Sequence, residues 1–141
     1  MKKLILLLPL LLLTGCKDPY GACEKAAADI GTGIGAGMKT VDSLRVSGLI
    51  STQEETTVLG YLKFVNDANG SFGACAQAAH NAPKKAGAFT SCVQIFQTAM
   101  NNQQELALIH VNNPNAQQQV QTIVNAVLAG LNTITTTFGG A

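Results

Sequence analysis

Helix-start and helix-stop signals divide the chain after residue 17 into segments of nearly equal length. Asp18-Pro19 pairs a capping residue with a proline at the first helical position. Ser51-Thr52-Gln53-Glu54 has the form of a capping box, in which the first and fourth side chains bond each other's backbone amides. Pro83 interrupts the next run, and Asn113-Pro114 supplies another cap and first-position proline. The chain is therefore predicted to be all-α, with four helices.

Apolar residues recur within each segment at spacings of three and four, which is typical of a half-buried helix. The predicted core positions are Tyr20, Cys23, Ala27, Ile30, Ile34, Val41 and Leu44 in the first segment, Val58, Tyr61, Val65, Ala68, Phe72, Cys75 and Ala79 in the second, Phe89, Cys92, Phe96, Ala99, Gln103 and Leu106 in the third (84–111), and Val120, Ile123, Val124, Val127, Leu128, Leu131, Ile134 and Phe138 in the fourth. Gly48 is expected to end the first helix. Short connections favour an antiparallel up-and-down four-helix bundle over residues 19–139.

The N-terminus has the pattern of a targeting segment. Lys2 and Lys3 precede a wholly apolar run at 4–13, which is a secretory-signal pattern. This run is too short for a membrane-spanning helix, which needs about 20 apolar residues. It ends in Leu13-Thr14-Gly15-Cys16, which resembles the lipobox of bacterial lipoproteins. The resemblance implies that residues 1–15 are a signal peptide, that Cys16 is the lipidation site, and that residues 16–18 form the lipidated anchor and a short linker.

The same resemblance implies a location and a first partner. Acyl chains such as palmitate on Cys16 would hold the protein to a membrane, at about 0.8 kcal/mol per buried CH₂. Lys17 follows the cysteine. In enteric-type lipoproteins an aspartate at that place is associated with inner-membrane retention. The analogy therefore favours the bacterial outer membrane, with the helical domain facing the periplasm.

Charge and composition restrict the class of partner. The 141 residues include only nine basic and eight acidic side chains, with no basic stripe and no platform of aromatic residues, so a nucleic-acid partner is not expected. Beyond the signal the chain is rich in Ala, Gly, Gln, Asn and Thr. Such a surface is less protected against self-association than a charged one. Another envelope protein or a second copy of the chain is the expected protein partner.

The three remaining cysteines are Cys23, Cys75 and Cys92, and export would place them where disulfides form. If neighbouring helices are antiparallel, reflection through the turns puts Cys23 level with about residue 77 and Cys75 level with about residue 90. One disulfide and one leftover thiol are predicted. Cys23–Cys75 is preferred because the levels match better and the closed loop is longer, and Cys75–Cys92 is the alternative.

Neither catalysis nor metal binding is predicted. The three cysteines and His80 form a possible Cys₃His set, but the chain has no C-x-x-C pair. His80 and His110 are both expected near helix ends, where imidazole interacts favourably with terminal carbonyls. The chain also lacks Glu-x-x-His, C-x-x-C-H and G-x-S-x-G motifs. A non-enzymatic protein without a cofactor is therefore expected.

The glycine run from Gly31 to Gly37 is the weakest helical stretch, since each glycine costs about 1 kcal/mol relative to alanine inside a helix. It matches G-x-G-x-x-A, but the nucleotide-binding form of that motif follows a strand, and the residues before this run are predicted to be helical. Two interpretations remain for the run: the close approach of another helix, or a local break in the first helix.

Two functions fit these features. The first is a non-enzymatic interaction or structural module, which presents Gln-, Asn- and Thr-rich helix faces to an envelope component or to a copy of itself. The second is a periplasmic carrier or sensor, with a small apolar ligand or lipid held in the bundle core beside Phe64, Phe72, Phe89 and Phe96. No ligand-binding residue can be assigned from the sequence.

Overall fold

The computed structural model describes residues 19–81, 88–101 and 109–138 of the chain. These residues form four helices, α1 (Pro19–Val46), α2 (Thr52–Asn81), α3 (Ala88–Asn101) and α4 (Pro114–Phe138). No strand occurs within these ranges. The all-α prediction is therefore confirmed, whereas the predicted signal peptide and Cys16 lie outside the described residues.

The predicted capping residues act at the starts of α2 and α4. Ser51 N–H donates to Glu54 Oε2 at 2.7 Å, and Glu54 N–H donates to Ser51 Oγ at 3.2 Å. At the start of α4, Asn113 Oδ1 accepts hydrogen bonds from the N–H groups of Asn115 and Ala116, at 3.0 and 3.1 Å. These bonds satisfy amides that the helices themselves leave unpaired, so both predicted starts are confirmed.

The end of α1 is fixed by a left-handed glycine. Gly48 has φ = 71°, its N–H donates to the Arg45 carbonyl at 3.0 Å, and Leu49 N–H donates to the Leu44 carbonyl at 2.9 Å. This pair of bonds is the Schellman motif, which favours glycine because other residues carry a Cβ penalty there. The chain then enters α2 after a short turn.

The third helix is shorter than predicted. The described part of α3 is Ala88–Asn101, and residues 109–111 are not helical, although the sequence pattern predicts a helix over 84–111. Residues 84–87 and 102–108 lie outside the described ranges. Val111 is buried, and its N–H donates to Gln117 Oε1 at 2.8 Å instead of to a carbonyl one turn earlier. The buried apolar residue therefore belongs to the connection, where a side chain of α4 satisfies its amide.

The core is formed by the predicted stripes. α1 packs against α2 and α4, and α3 packs against α2 and α4. The buried apolar residues include Cys23, Ala27, Ile34, Val41 and Leu44 of α1, Val58, Tyr61, Leu62, Val65, Phe72, Ala76 and Ala79 of α2, Cys92, Val93 and Phe96 of α3, and Val120, Val124, Val127, Leu131 and Ile134 of α4. Leu62, Ala76 and Val93 were not among the predicted positions.

The glycine run remains helical and allows close packing at its two ends. α1 is continuous from Pro19 to Val46, so the expected alternative of a local break is wrong. A Cβ on Gly37 would lie 2.7 Å from Ile123 Cγ2, and one on Gly31 would lie 3.5 Å from Asn69 Nδ2. At Gly33, by contrast, no described atom lies within 4 Å of that position. Within this run, only Gly37 lies so close to another helix that a Cβ would clash, and a Cβ on Gly31 would make an ordinary van der Waals contact.

Two alanine substitutions in this run should change stability in opposite directions. Gly37→Ala places a methyl group against the branched Ile123 side chain, and overpacking of this kind costs about 1–3 kcal/mol. Gly33→Ala meets open space and should gain about 1 kcal/mol of helix propensity. Denaturant unfolding of the two variants beside the parent chain measures both effects. Equal stabilisation by the two substitutions would contradict the close α1–α4 contact.

Candidate functional site

The disulfide joins α2 to α3. Cys75 and Cys92 are bonded with their Cα atoms 5.6 Å apart, and Cys23 is an unbonded, buried thiol. The preferred pairing Cys23–Cys75 is therefore wrong, and the alternative is the one present. Level along the bundle does not fix direction around the helix: the side of α2 that meets α1 carries Asn69, whose amide bonds the Ala27 carbonyl, and Gly73, where a Cβ would lie 3.6 Å from Ala27 Cβ.

Glu24 and His80 form a polar contact between α1 and α2. His80 Nδ1 lies 3.4 Å from Glu24 Oε1, and each side chain is about one-third exposed, at 35% and 34%. His110 is exposed and lies two residues before Asn112, whose N–H bonds Glu54 in the first turn of α2, whereas His80 lies in the last turn of that helix. The two histidines are therefore separated by nearly the length of α2 and do not form one site.

A buried amide links α2 to α1 in the middle of the core. Asn69 is 4% exposed, and its Nδ2 donates to the Ala27 carbonyl at 2.8 Å. Within the described residues, Asn69 Oδ1 and the Tyr61 hydroxyl have no hydrogen-bond partner. Burial raises the pKa of Tyr61 above its ordinary value. A buried polar group that bonds a neighbouring backbone fixes the helix register, because a shift would leave the amide unsatisfied.

Glu54 links the two connections at the Arg45 end of α1. Besides its capping bonds, its Oε1 accepts a hydrogen bond from Asn112 N–H at 2.6 Å. Nearby, Arg45 Nε donates to Thr52 Oγ1 at 3.0 Å and lies 3.8 Å from Glu55 Oε2. The backbone N–H groups of Ser51 and Asn112 lower the pKa of Glu54. A single carboxylate therefore ties the start of α2 to the segment before α4, which the sequence pattern did not indicate.

Glu54→Gln should reduce the acid sensitivity of the fold. Because hydrogen bonds to the ionised carboxylate lower its pKa from 4.5, its contribution to stability is complete above pH 4.5 and is lost as the pH falls through the folded-state value. The amide variant should be less stable than the parent at neutral pH and lose less stability on acidification. Thermal unfolding at several pH values between neutral and acidic measures both effects.

The control for Glu54→Gln is Asp67→Asn. Asp67 is an exposed acidic residue that pairs with Lys63 at 3.4 Å within one helix. Exposed pairs of this kind contribute little, so its removal should change neither neutral stability nor the acid transition appreciably. If both variants shift the acid transition equally, the special role of Glu54 is contradicted.

The surface of α3 and α4 is uncharged. Neither helix contains Asp, Glu, Lys, Arg or His. The exposed side chains of α4 are amides, hydroxyls and small groups, and α3 adds Ile95, which is 58% exposed. The Gln- and Asn-rich composition indicated such a surface. The sequence pattern does not predict the exposure of Ile95, which lies outside the buried stripe of α3.

The expected apolar cavity is not supported at the positions that the structure describes. Phe72 and Phe96 are each 1% exposed and pack with ring centroids 4.9 Å apart, and Phe64 is partly buried against the core. The side chain of Phe89 lies outside the described residues. A Cβ on Gly130 would lie 3.1 Å from Ile30 Cγ1, so the small-residue contacts between α1 and α4 hold isoleucine side chains.

The described ranges contain neither a membrane-spanning helix nor a cluster of metal ligands. None of the helices in the described ranges is long and apolar enough to cross a bilayer. In the same ranges, no three or more His, Cys, Asp or Glu side chains converge in a way that could hold a metal ion. The candidate site is the surface of α3 and α4, because neither helix carries a charged side chain. The chain matches no protein-family model, no curated protein and no solved structure.

Proposed function

We propose that the protein is a lipid-anchored cell-envelope protein that acts as a non-enzymatic interaction or structural module. The observation that carries this proposal is the complete absence of charge from α3 and α4. Charged residues are depleted at the centres of protein–protein interfaces, because they are costly to desolvate. An uncharged and largely polar surface therefore suits contact with another macromolecule.

We also propose that the four helices form an antiparallel up-and-down bundle. Its support is the order of contacts along the chain. Glu24 near the start of α1 meets His80 at the end of α2, and Arg45 at the end of α1 meets Glu55 at the start of α2. The contacts between α1 and α4, Ile30 with Gly130 and Gly37 with Ile123, follow the same reversed order.

The proposed location is the periplasmic face of the outer membrane. It rests on the lipobox resemblance ending at Cys16 and on the residue that follows, Lys17. The Cys75–Cys92 disulfide supports an oxidising compartment, since such bonds are rare where thiols are kept reduced. With a signal peptide removed at Gly15, the linker to the start of α1 is short, and the bundle lies close to the membrane.

The lipid anchor is tested by expressing the whole chain and measuring the intact mass of the protein that is extracted from membranes. We expect a chain that begins at Cys16 and carries fatty acyl groups, and we expect Cys16→Ser to abolish both the acylation and the membrane fractionation. A membrane-extracted chain that still begins at Met1 and lacks acyl groups would overturn the proposed location.

Cross-linking with mass spectrometry in intact cells then tests the interaction role. We expect cross-links from α3 or α4 to a specific protein of the envelope, which includes a second copy of the chain. Native mass spectrometry of the protein after removal of its acyl chains provides the opposing outcome. A retained apolar small molecule together with no protein cross-link would favour the carrier function instead.

A further inference from the structure

We propose that a second copy of this chain binds the uncharged surface of α3 and α4, with the two copies related by a twofold axis. The inference rests on the proposed interaction role and names its partner. In a twofold interface each copy contributes the same patch, so the patch must be compatible with itself. Like charges placed opposite each other are unfavourable, and a surface without charge avoids this cost.

The exposed amides of α4 are compatible with copies of themselves in hydrogen bonding. The exposed side chains that the structure describes beyond the first turn of this helix are Gln118, Gln119, Gln121, Thr122, Asn125, Ala126, Ala129, Asn132 and Thr136. Each Gln and Asn side chain carries both donors and an acceptor, as in the bond from Gln121 Nε2 to Asn125 Oδ1 at 3.2 Å. Identical amides from two copies can therefore pair, whereas two carboxylates or two ammonium groups cannot.

The described hydroxyl donors on α4 are already used within the helix and are not available to a second copy. Thr122 and Thr133 donate to the carbonyls of Gln118 and Ala129, at 2.8 and 2.9 Å. Such bonds within the helix satisfy the hydroxyl donors locally. The amide side chains are thus the donors that remain available to a neighbouring surface, and Ile95 adds an exposed apolar group on the adjoining helix.

The opposite side of the molecule does not suit a copy of itself. The charged residues of α1 and α2 are Glu24, Lys25, Asp29, Lys39, Asp42, Arg45, Glu54, Glu55, Lys63 and Asp67, among which acidic residues outnumber basic ones. Two such surfaces would bring an excess of negative charge together. Self-association is therefore directed to α3 and α4.

The size of the surface indicates a weak dimer. α4 is 25 residues long, which corresponds to about 37 Å, and a strip about 10 Å wide along it offers a few hundred Å². Stable complexes bury about 800 Å² per partner, so a strip of this size is smaller than a stable interface. Confinement of both copies to a membrane by their proposed anchors raises their effective concentration, as tethering does in general.

Cysteine cross-linking of the full chain in intact cells tests the proposal. Asn125 is exposed and lies near the middle of α4, where two antiparallel copies of the helix would cross. Treatment of Asn125→Cys cells with a short bis-maleimide should give a product of twice the chain mass. The matched control is Thr32→Cys, an exposed position on α1, which should give little product.

A charged variant distinguishes cross-links formed in a specific dimer from those formed by chance encounters of two copies. Adding Gln118→Lys and Asn132→Lys to Asn125→Cys should lower the yield of the dimer by about tenfold, because these exposed positions lie equally far on either side of Asn125 and face each other across the axis in antiparallel copies. Equal dimer yields from Asn125→Cys and Thr32→Cys would overturn the proposal, as would no product at all. A product with a different protein would overturn the second copy as partner and leave the interaction role in place. The proposed envelope role is tested separately, by the mass of the membrane-extracted protein, which shows whether the chain begins at an acylated Cys16.

Discussion

Cys23 is expected to react with a maleimide at least about a thousandfold more slowly than an exposed cysteine at pH 8, because its buried thiol is shielded from the reagent and only the thiolate is nucleophilic. Burial, followed by the neighbouring Glu24 charge, raises the pKa of Cys23 from 9.0 to about 12, and the side chain is 0% exposed. Each unit of pKa lowers the thiolate fraction tenfold at a fixed pH below both values. Peptide mapping after timed labelling measures the rate at Cys23 itself.

The same labelling in denaturant is the control for Cys23. Unfolding removes the burial, so the thiol should then react at the rate of an ordinary cysteine, while Cys75 and Cys92 stay unlabelled until a reductant is added. Rapid labelling of Cys23 in the folded protein would contradict its placement in the core. Labelling of Cys92 instead of Cys23 in non-reducing denaturant would contradict the disulfide assignment.

Replacement of both bonded cysteines, Cys75→Ala with Cys92→Ala, should lower the free energy of unfolding by about 3 kcal/mol in the chain-entropy model, given a sequence separation of 17. The bond restricts the unfolded chain, and its loss restores that freedom. Urea unfolding without reductant, with the parent chain beside the variant, measures the difference. The parent chain in reductant should approach the stability of the double variant.

Cys23→Ala is the matched single substitution for this pair. It should cost about 1 kcal/mol through the small cavity it leaves, and it should keep the response of the parent chain to reductant. If Cys23→Ala abolished that response while Cys92→Ala preserved it, the bond would be Cys23–Cys75. The two outcomes are opposite, so the experiment decides between the pairings directly.

The helices were predictable because their signals are local. The capping box at Ser51 and Glu54, the cap at Asn113 and the left-handed Gly48 each act within one turn of the chain. The apolar stripes were predictable for the same reason, since helical periodicity is set by the backbone. The features that the sequence did not predict depend instead on packing between residues that are far apart in the chain.

Three residues illustrate this limit. Asn69 lies in the core, where its amide bonds a backbone carbonyl 42 residues earlier, and a polar residue carries no periodic signal for burial. Cys75 matches Cys23 in level but lies on the part of α2 that meets α3. Val111 is apolar and buried but belongs to a connection, so an apolar pattern alone extended the third helix too far. Of the candidate site, the sequence indicated the uncharged composition but not the exposure of Ile95.

The two ends of α2 are secured by different chemistry. Near its last turn the helix is held covalently through Cys75, and in its first turn it is held through the carboxylate of Glu54, which reaches the segment before α4. Reduction therefore loosens one end, and protonation loosens the other. Neither stress alone breaks both links. In acidic but oxidising surroundings α2 would therefore begin to unfold at its Glu54 end, while the Cys75–Cys92 disulfide still holds the other end to α3.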